Sequence, residues 1–243
     1  MKSERVTIGA KDRVFVLTGA GISAESGIPT FRGVGGVWNN YRIEEVANPA
    51  AWERDPELVW RFYSYRRRTA APCEPNAAHR ALAELEGLIG ERFFLCTQNV
   101  DDLHERAGSR RLVHMHGELF RSRCERCERE PWEDRGEYDS MSAIPRCECG
   151  GRVRPHICWF GEVPFEMDRI AEELERCTVF GVIGTSGVVY PAAGFVHAVN
   201  ARGRGKVRTF YAGPEEPENA GEFGQVLVGK AGEVVPVLFR SSE

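Results

Sequence analysis

A chain of 243 residues with 42% hydrophobic and 28% charged side chains is large enough for one sizeable core, or for a main domain carrying an insertion. Thirty-two basic residues against 36 acidic ones leave a net charge of -4 and a pI near 6.0, which argues against an electrostatic nucleic-acid binder. No apolar run of signal-peptide length follows Met1–Arg5, so a cytoplasmic location is expected, and eight cysteines there point to metal ligands or buried thiols rather than disulfides.

The first predicted element is a buried strand, Val14 to Leu17. It breaks into Thr18-Gly19-Ala20-Gly21, a turn of small residues able to cradle phosphate at the start of a helix from Ala20 to Ser26, which Pro29 stops. Gly27 lies too far on for the usual G-x-G-x-x-G, so the pattern by itself is a weak signal, with a βα turn without a ligand as the alternative. Residues 33–41 combine three glycines with Trp38 and Tyr41, as a plain surface loop does, or one that closes over a ligand. Residues 44–70 have a helical pattern, with Trp52, Leu58, Val59, Trp60, Phe62 and Tyr63 on the apolar faces. Near its end Tyr63 and Arg66 share a face, whereas Arg66 to Arg68 taken alone read as a solvated helix end favoured by the dipole.

A helix from His79 to Leu88 and a strand from Phe93 to Cys96 follow. The strand leads into Thr97-Gln98-Asn99-Val100-Asp101, polar groups placed where open α/β sheets bind ligands. Leu112 to Gly117 is short and alternating. Among the candidate histidines His104, His114 and His116, the last stands out because Gly117 opens the backbone beside it.

Cys124-x-x-Cys127 and Cys147-x-Cys149, joined by a charged arm from Glu128 to Ile144, have the spacing of a tetrahedral four-cysteine zinc site. Four thiolates leave no open coordination position, so the zinc is expected to be structural and to supply the folding energy of the arm. A nucleic-acid-binding zinc ribbon is the alternative, and the acidic residues of the arm oppose it. Cys96, Cys158 and Cys177 have apolar neighbours and read as core or near-core residues.

Beyond the zinc module, Arg152 to Glu162 returns the chain, Glu166 to Arg176 is helical and Thr178 to Ile183 fits a central parallel strand. Thr178 to Ala201 lacks charged residues, but its glycines and Pro191 fit strand, loop and helix better than a membrane span. Strands are expected at Val207 to Tyr211 and Glu233 to Phe239. The repeated strand, polar turn and helix predict an α/β fold: a doubly wound, Rossmann-like parallel sheet with a smaller zinc-ribbon and helical part inserted. Residues 1–36, 91–118 and 163–243 form the expected main domain, 37–90 a loop and helical module, and 119–162 the zinc module. Four polar turns (18–32, 97–101, 184–187 and 211–213) then face one crevice.

In order along the chain, Gly19 to Arg32, Thr97 to Asp101, His116-Gly117, the four clustered cysteines and Gly184-Thr185-Ser186 resemble the sirtuins, NAD-dependent protein-lysine deacylases. The resemblance implies NAD as co-substrate and one structural zinc on Cys124, Cys127, Cys147 and Cys149. It places NAD against Gly19, Ala20, Gly21, Glu25, Thr30, Phe31, Arg32 and Trp38, with Phe31 by the nicotinamide. Gln98 and Asn99 then meet the ribose and Asp101 the carboxamide, with Val100 also in the NAD site. Gly184, Thr185 and Ser186 take the adenosine half, with Tyr211, Ala212, Gly213 and Ala231 at the adenine end. His116 is implied as general base, with Asn99 beside it in catalysis. In the family scheme the acyl-lysine oxygen displaces nicotinamide, the activated ribose hydroxyl attacks the imidate, and O-acyl-ADP-ribose and free lysine result.

Acyl-lysine proteins or peptides are the implied partners, with neither membrane nor nucleic acid. The peptide is expected as a third strand between Phe160-Gly161-Glu162-Val163 and Gly187-Val188-Val189. Tyr63-x-x-Arg66 resembles the branch that removes succinyl and malonyl groups, an arginine and a phenol reading a distal carboxylate. Two positions depart from the pattern: Ile43 where that branch has a small alanine, and Tyr211 where many relatives have asparagine. Mono-ADP-ribosyl transfer and a non-catalytic zinc-bearing NAD sensor are the alternative functions.

Overall fold

The computed structural model describes residues 5–30, 42–185, 189–203 and 205–241. Strand β1 (Val6–Ile8) precedes β2 (Val14–Thr18), and helix α1 (Gly21–Ala24) follows within three residues. Helices α2 (Ile43–Val46), α3 (Pro49–Arg54) and α4 (Pro56–Ala70) divide the helical stretch expected over 44–70. The divisions are local chemistry. The Asn48 side chain accepts the N–H of Ala51 (2.8 Å) and that of Asp55 accepts the N–H of Leu58 (2.9 Å), each with a proline in the first turn.

Helix α5 (Ala77–Ile89) leads to β3 (Phe93–Thr97), α6 (Leu103–Ala107) and β4 (Leu112–His114). Strands β5 (Gly117–Cys124), β6 (Trp132–Glu133) and β7 (Val153–Ile157) form an antiparallel sheet in the order β6-β5-β7. After α7 (Met167–Arg176), β8 (Val179–Ile183), α8 (Phe195–Ala201), β9 (Arg208–Gly213) and β10 (Gln225–Val228) complete a six-stranded parallel sheet, β10-β9-β8-β2-β3-β4.

Every residue of β2, β3 and β8 is buried, as an apolar run covered on both faces requires. Alternation along β2 divides the two cores. Val14 and Val16 pack with Leu82 and Leu85 of α5, whereas Phe15 and Leu17 pack with Leu174 of α7 and Phe195 and Val199 of α8. A third core joins α2–α4 to the antiparallel sheet through Trp52, Val59, Trp60, Leu119, Phe120 and Val153.

Glu233 to Phe239 is not a strand. Helix α9 (Ala231–Leu238) occupies it, and only Phe239–Ser241 (β11) is extended, pairing with β1. The valine-rich composition suggests a strand, but Ala231, Val235 and Leu238 fall at helical spacing and bury one stripe in the α5 core. Arg67 is not solvated either: it is 1% exposed. Its guanidinium donates to the carbonyls of Leu119 (2.8 Å) and Gly136 (2.6 Å) and to Ser122 Oγ (3.2 Å), and pairs with Asp134 at 3.3 Å. Position decides between neighbours on one helix, since Arg68 remains exposed and pairs with Glu137. Cys96 and Cys177 are buried in the core, and Cys158 is half-buried and lines the main cavity. No described helix is long and apolar enough to cross a membrane.

Candidate active site

The C-terminal ends of β2, β3, β8 and β9 lie on one edge of the sheet, and backbone bonds stitch the turns beyond them together. Gly19 N–H donates to the Ile183 carbonyl (3.0 Å), Gly21 N–H to that of Gly184 (2.7 Å), Gln98 N–H to that of Thr18 (2.9 Å) and Gly184 N–H to that of Ala212 (2.9 Å). A Cβ on Gly21 would stand 2.7 Å from the Gly184 carbonyl oxygen, and Gly184 itself has φ +65, so both must be glycine for the two turns to meet.

Behind these turns lies a buried polar layer. Asn99 N–H donates to Thr97 Oγ1 (3.0 Å), and the Asn99 side-chain amide donates to Ser23 Oγ (3.0 Å). His79 Nδ1 accepts the N–H of Asn76 (3.3 Å), so Nε2 carries the proton and donates to Ser23 Oγ at 3.4 Å. Burial lowers His79 to about 4 and keeps it neutral. Ser23, having accepted twice, keeps its own proton to donate, and its hydroxyl favours the charged form of the nearby Asp101 carboxylate. Burial raises the Asp101 pKa, while Ser23 and the N–H of Leu103 favour its charged form. Thr18 Oγ1 lies 2.9 Å from Thr97 Oγ1 and 3.0 Å from His104 Nε2.

In front lies a cavity of about 650 Å³, within the size range of ligand sites. Its floor is Gly19, Ala20, Gly21 and Thr30 from the first turn, with Gln98, Asn99 and Val100 from the second. Gly184, Thr185 and Tyr211 also line it, and Gln98 Nε2 donates to Thr185 Oγ1 (3.2 Å). Tyr63, Arg66 and Trp159 line it too, as do Phe160, Gly161, Glu162 and Val189.

His116 projects into this cavity from the β4–β5 junction. Gly117 beside it has φ +86, and any Cβ there would strike the His156 carbonyl. A carbonyl only accepts, so the 3.1 Å contact between His116 Nδ1 and the Gln98 oxygen places the ring proton on Nδ1. Nε2 is left with its lone pair. Burial lowers the His116 pKa below its ordinary 6.5, and the Gln98 contact opposes this only in part, so the ring is neutral at pH 7. For a base of this kind, the acid limb of the kcat/KM profile should fall below pH 6.5; a pH-rate series from 5 to 8 checks this.

Tyr63 is buried, and its hydroxyl oxygen accepts Trp159 Nε1–H at 3.0 Å. Burial pushes its pKa up to about 12, so it stays a neutral phenol with its own proton available. Arg66, one turn on, is half-buried, and burial lowers its pKa against the opposing influence of Tyr63 and Asp101. The Glu162 carboxylate is turned away: it takes two bonds from Arg154 (2.8 and 3.0 Å) and the N–H of Trp159 (2.8 Å), which leaves only its backbone for a peptide.

Several expected residues lie elsewhere. Glu25 accepts the N–H of Gly232 (2.7 Å) at the start of α9, next to buried Ala231. Asp101 sits behind the cavity wall, Ala212 and Gly213 are buried at the end of β9, and Val163 is 79% exposed. Phe31, Arg32, Trp38, Ser186, Gly187 and Val188 lie outside the described residues, as do the 33–41 loop and the side chain of Ile43. The structure adds His79, whose distance in sequence from the other site residues carries no signal, and gives Ser23, Thr97 and His104, each inside a segment or set already singled out, a place in the buried polar layer. It also adds Glu215, Glu216 and Glu218, an acidic run just past the last polar turn that sequence could have flagged.

The Sγ atoms of Cys124, Cys127, Cys147 and Cys149 all lie within 4.8 Å of one another, with Cys124–Cys149 at 3.5 Å and Cys127–Cys147 at 3.7 Å. Tetrahedral Zn–S bonds of about 2.3 Å imply S–S separations of about 3.8 Å, so the cage fits zinc. Backbone N–H groups of Arg126 (3.3 Å) and Gly151 (3.4 Å) point at Cys124 and Cys149, as thiolates require.

The sequence profile described as the Sir2 family matches residues 19–191. The chain is 50% identical over 227 residues to an NAD-dependent protein deacylase of Caulobacter vibrioides, covering 92% of this chain and 94% of that one. Among solved structures it resembles a Sir2 homologue in complex with NAD, with TM-score 0.84 and 45% identity over 94% of this chain and 89% of that one. A Sir2 homologue variant bound to 2'-O-acetyl ADP ribose superposes with TM-score 0.83, at 45% identity over 94% of this chain and 91% of that one.

Proposed function

The chain belongs to the Sir2 family and is an NAD-dependent protein deacylase forming O-acyl-ADP-ribose, and from that premise we propose that His116 is its general base and that Tyr63 and Arg66 read the acyl group. The observation that carries this reading is a single cavity reaching from the NAD-binding turns through His116 and Asn99 to Tyr63 and Arg66. His116 Nε2 takes the proton of a ribose hydroxyl, while the Gln98 carbonyl keeps the opposite ring nitrogen protonated. Asn99 orients the ribose, its side chain held by Ser23, and Asp101 is reached through the same hydroxyl. Gly19, Ala20 and Gly21 let the pyrophosphate approach the turn closely, the Gly19 and Gly21 N–H groups being committed to the Ile183 and Gly184 carbonyls; Thr185, Ser186 and the 211–213 turn hold the adenosine half, and Phe31 shields the nicotinamide site.

The peptide lies between the 160–163 and 187–189 segments, read by its main chain, so sequence selectivity is low. Residues 1–36, 91–118 and 163–243 act as the NAD-binding body, 37–90 as acyl pocket and cover, and 119–162 as the zinc-held brace. We place the enzyme in the cytoplasm, where thiols stay reduced for zinc.

At the far end of the pocket, a succinyl or malonyl carboxylate pairs with the Arg66 guanidinium and accepts the Tyr63 hydroxyl proton. Charge-assisted bonds contribute about 1.5–3 kcal/mol. Arg66→Met should therefore lower kcat/KM on a succinyl-lysine peptide about 10- to 100-fold and leave the acetyl-lysine peptide within about threefold. Equal losses on the two peptides in parallel assays would remove the carboxylate clamp from the account.

A further inference from the structure

Four consecutive carbonyls, Thr97 to Val100, face the chain from His114 to Leu119. The outer two accept backbone N–H groups: Met115 N–H reaches Thr97 at 3.0 Å and Leu119 N–H reaches Val100 at 2.7 Å. The inner two, Gln98 and Asn99, accept from side chains instead. His116 Nδ1 takes Gln98 at 3.1 Å, and His114 Nδ1 takes Asn99 at 2.8 Å. So the ladder holding the ribose-facing segment has two imidazole rungs, and only one of them faces the cavity.

The second ring has a partner of its own. His114 Nε2 lies 2.6 Å from Glu105 Oε1 on α6, and the His114 side chain is 8% exposed. Both ring nitrogens therefore donate, one to a carbonyl and one to a carboxylate, and His114 is an imidazolium. We propose that the His114–Glu105 pair is a positioning device for the deacylation reaction, clamping the Asn99 carbonyl so that the Asn99 amide and the His116 ring stay aligned. This rests on the reading of His116 and Asn99 as catalytic.

Burial alone would lower the His114 pKa, yet Glu105 and the Asn99 carbonyl raise it to about 9, while the Glu105 carboxyl is held low. Glu118 on β5 and Asp101 also favour the cation, whereas His104 on α6 and His156 on β7 lie near enough to interact as further imidazoles. Glu105, His114 and Glu118 cluster closely enough to suggest a cation site. With both ring nitrogens donating, no lone pair faces such an ion. When His114 loses a proton, one ring nitrogen is left bare, facing either the Glu105 carboxylate across 2.6 Å or the Asn99 carbonyl across 2.8 Å, and that contact must open. The ring then moves, and the Asn99 carbonyl with it.

The test joins nitrogen-15 NMR titration of the histidine rings to pH profiles of kcat/KM from 6 to 10, on the full chain and on Glu105→Gln. In the wild type, the His114 ring should remain doubly protonated to about pH 9, and the alkaline limb of activity should coincide with its titration. In Glu105→Gln, which keeps an acceptor oxygen but no charge, both should move down together by about one pH unit or more. An alkaline limb unmoved in folded Glu105→Gln overturns the proposal, as does a neutral His114 ring in the wild type at pH 7.5. The second criterion holds even if the variant does not fold. Failure of the underlying catalytic reading shows separately, as undiminished deacylation by His116→Ala with the His114 titration still near 9.

Discussion

Replacing His116 with alanine should lower deacylation of an acetyl-lysine peptide by about 10²- to 10⁴-fold, the range supplied by a positioned general base. Nicotinamide exchange into NAD should fall much less. The difference follows from where the proton is needed. Departure of nicotinamide leaves charge at the ribose carbon and requires no base, whereas activation of the ribose hydroxyl for attack does. His116 is built for that second step: its Nδ1–H is committed to the Gln98 carbonyl at 3.1 Å, and burial keeps the ring neutral. Its backbone is fixed as well, since Cys158 N–H donates to the His116 carbonyl at 2.9 Å. Assaying exchange and deacylation in parallel separates the two steps, and equal losses in both would move the role of His116 to binding.

Arg67→Met should destabilise the protein by about 3–5 kcal/mol, the cost of stranding one half of a buried ion pair. Four donor contacts to the 119–136 region disappear, and Asp134, whose side chain is 9% exposed, keeps its charge with only Ser122, Tyr138 and the Gly136 N–H around it. The Arg67 guanidinium also lies 5.1 Å from the centre of the Trp60 ring, so its removal opens the core shared by α4 and the antiparallel sheet. Arg68→Met, one residue on, should change stability by about 1 kcal/mol or less, because its partner Glu137 is also exposed. Urea denaturation of both variants reads the contrast, and similar midpoints would show that Arg67 contributes no more than a surface pair.

Much of this site is legible in the sequence because its signals are local. The Val14 to Leu17 run ending in Gly19-Ala20-Gly21 shows both a buried strand and its turn, and two close cysteine pairs suffice to define a metal cage. Parallel order then carries Gln98, Asn99, Gly184 and Tyr211 to one edge. What sequence hides is set by tertiary partners. Nothing along α4 tells buried Arg67 from exposed Arg68; the difference is the Leu119, Gly136 and Asp134 groups waiting opposite. The valines before Phe239 suggest a strand until α5 is seen against their helical stripe. Ser23, His79 and Asn99 form one hydrogen-bonded unit from three distant segments, visible only after folding. Charge works similarly at His114 and His116: they are two residues apart, yet Glu105 makes one a cation and its absence leaves the other neutral.

The most direct test of the whole account is the product balance of the wild-type protein with NAD and an acetyl-lysine peptide, read by mass spectrometry. Equal amounts of nicotinamide, free-lysine peptide and O-acetyl-ADP-ribose are expected at every time point. Peptide carrying ADP-ribose, or acetate released with NAD unconsumed, would contradict it.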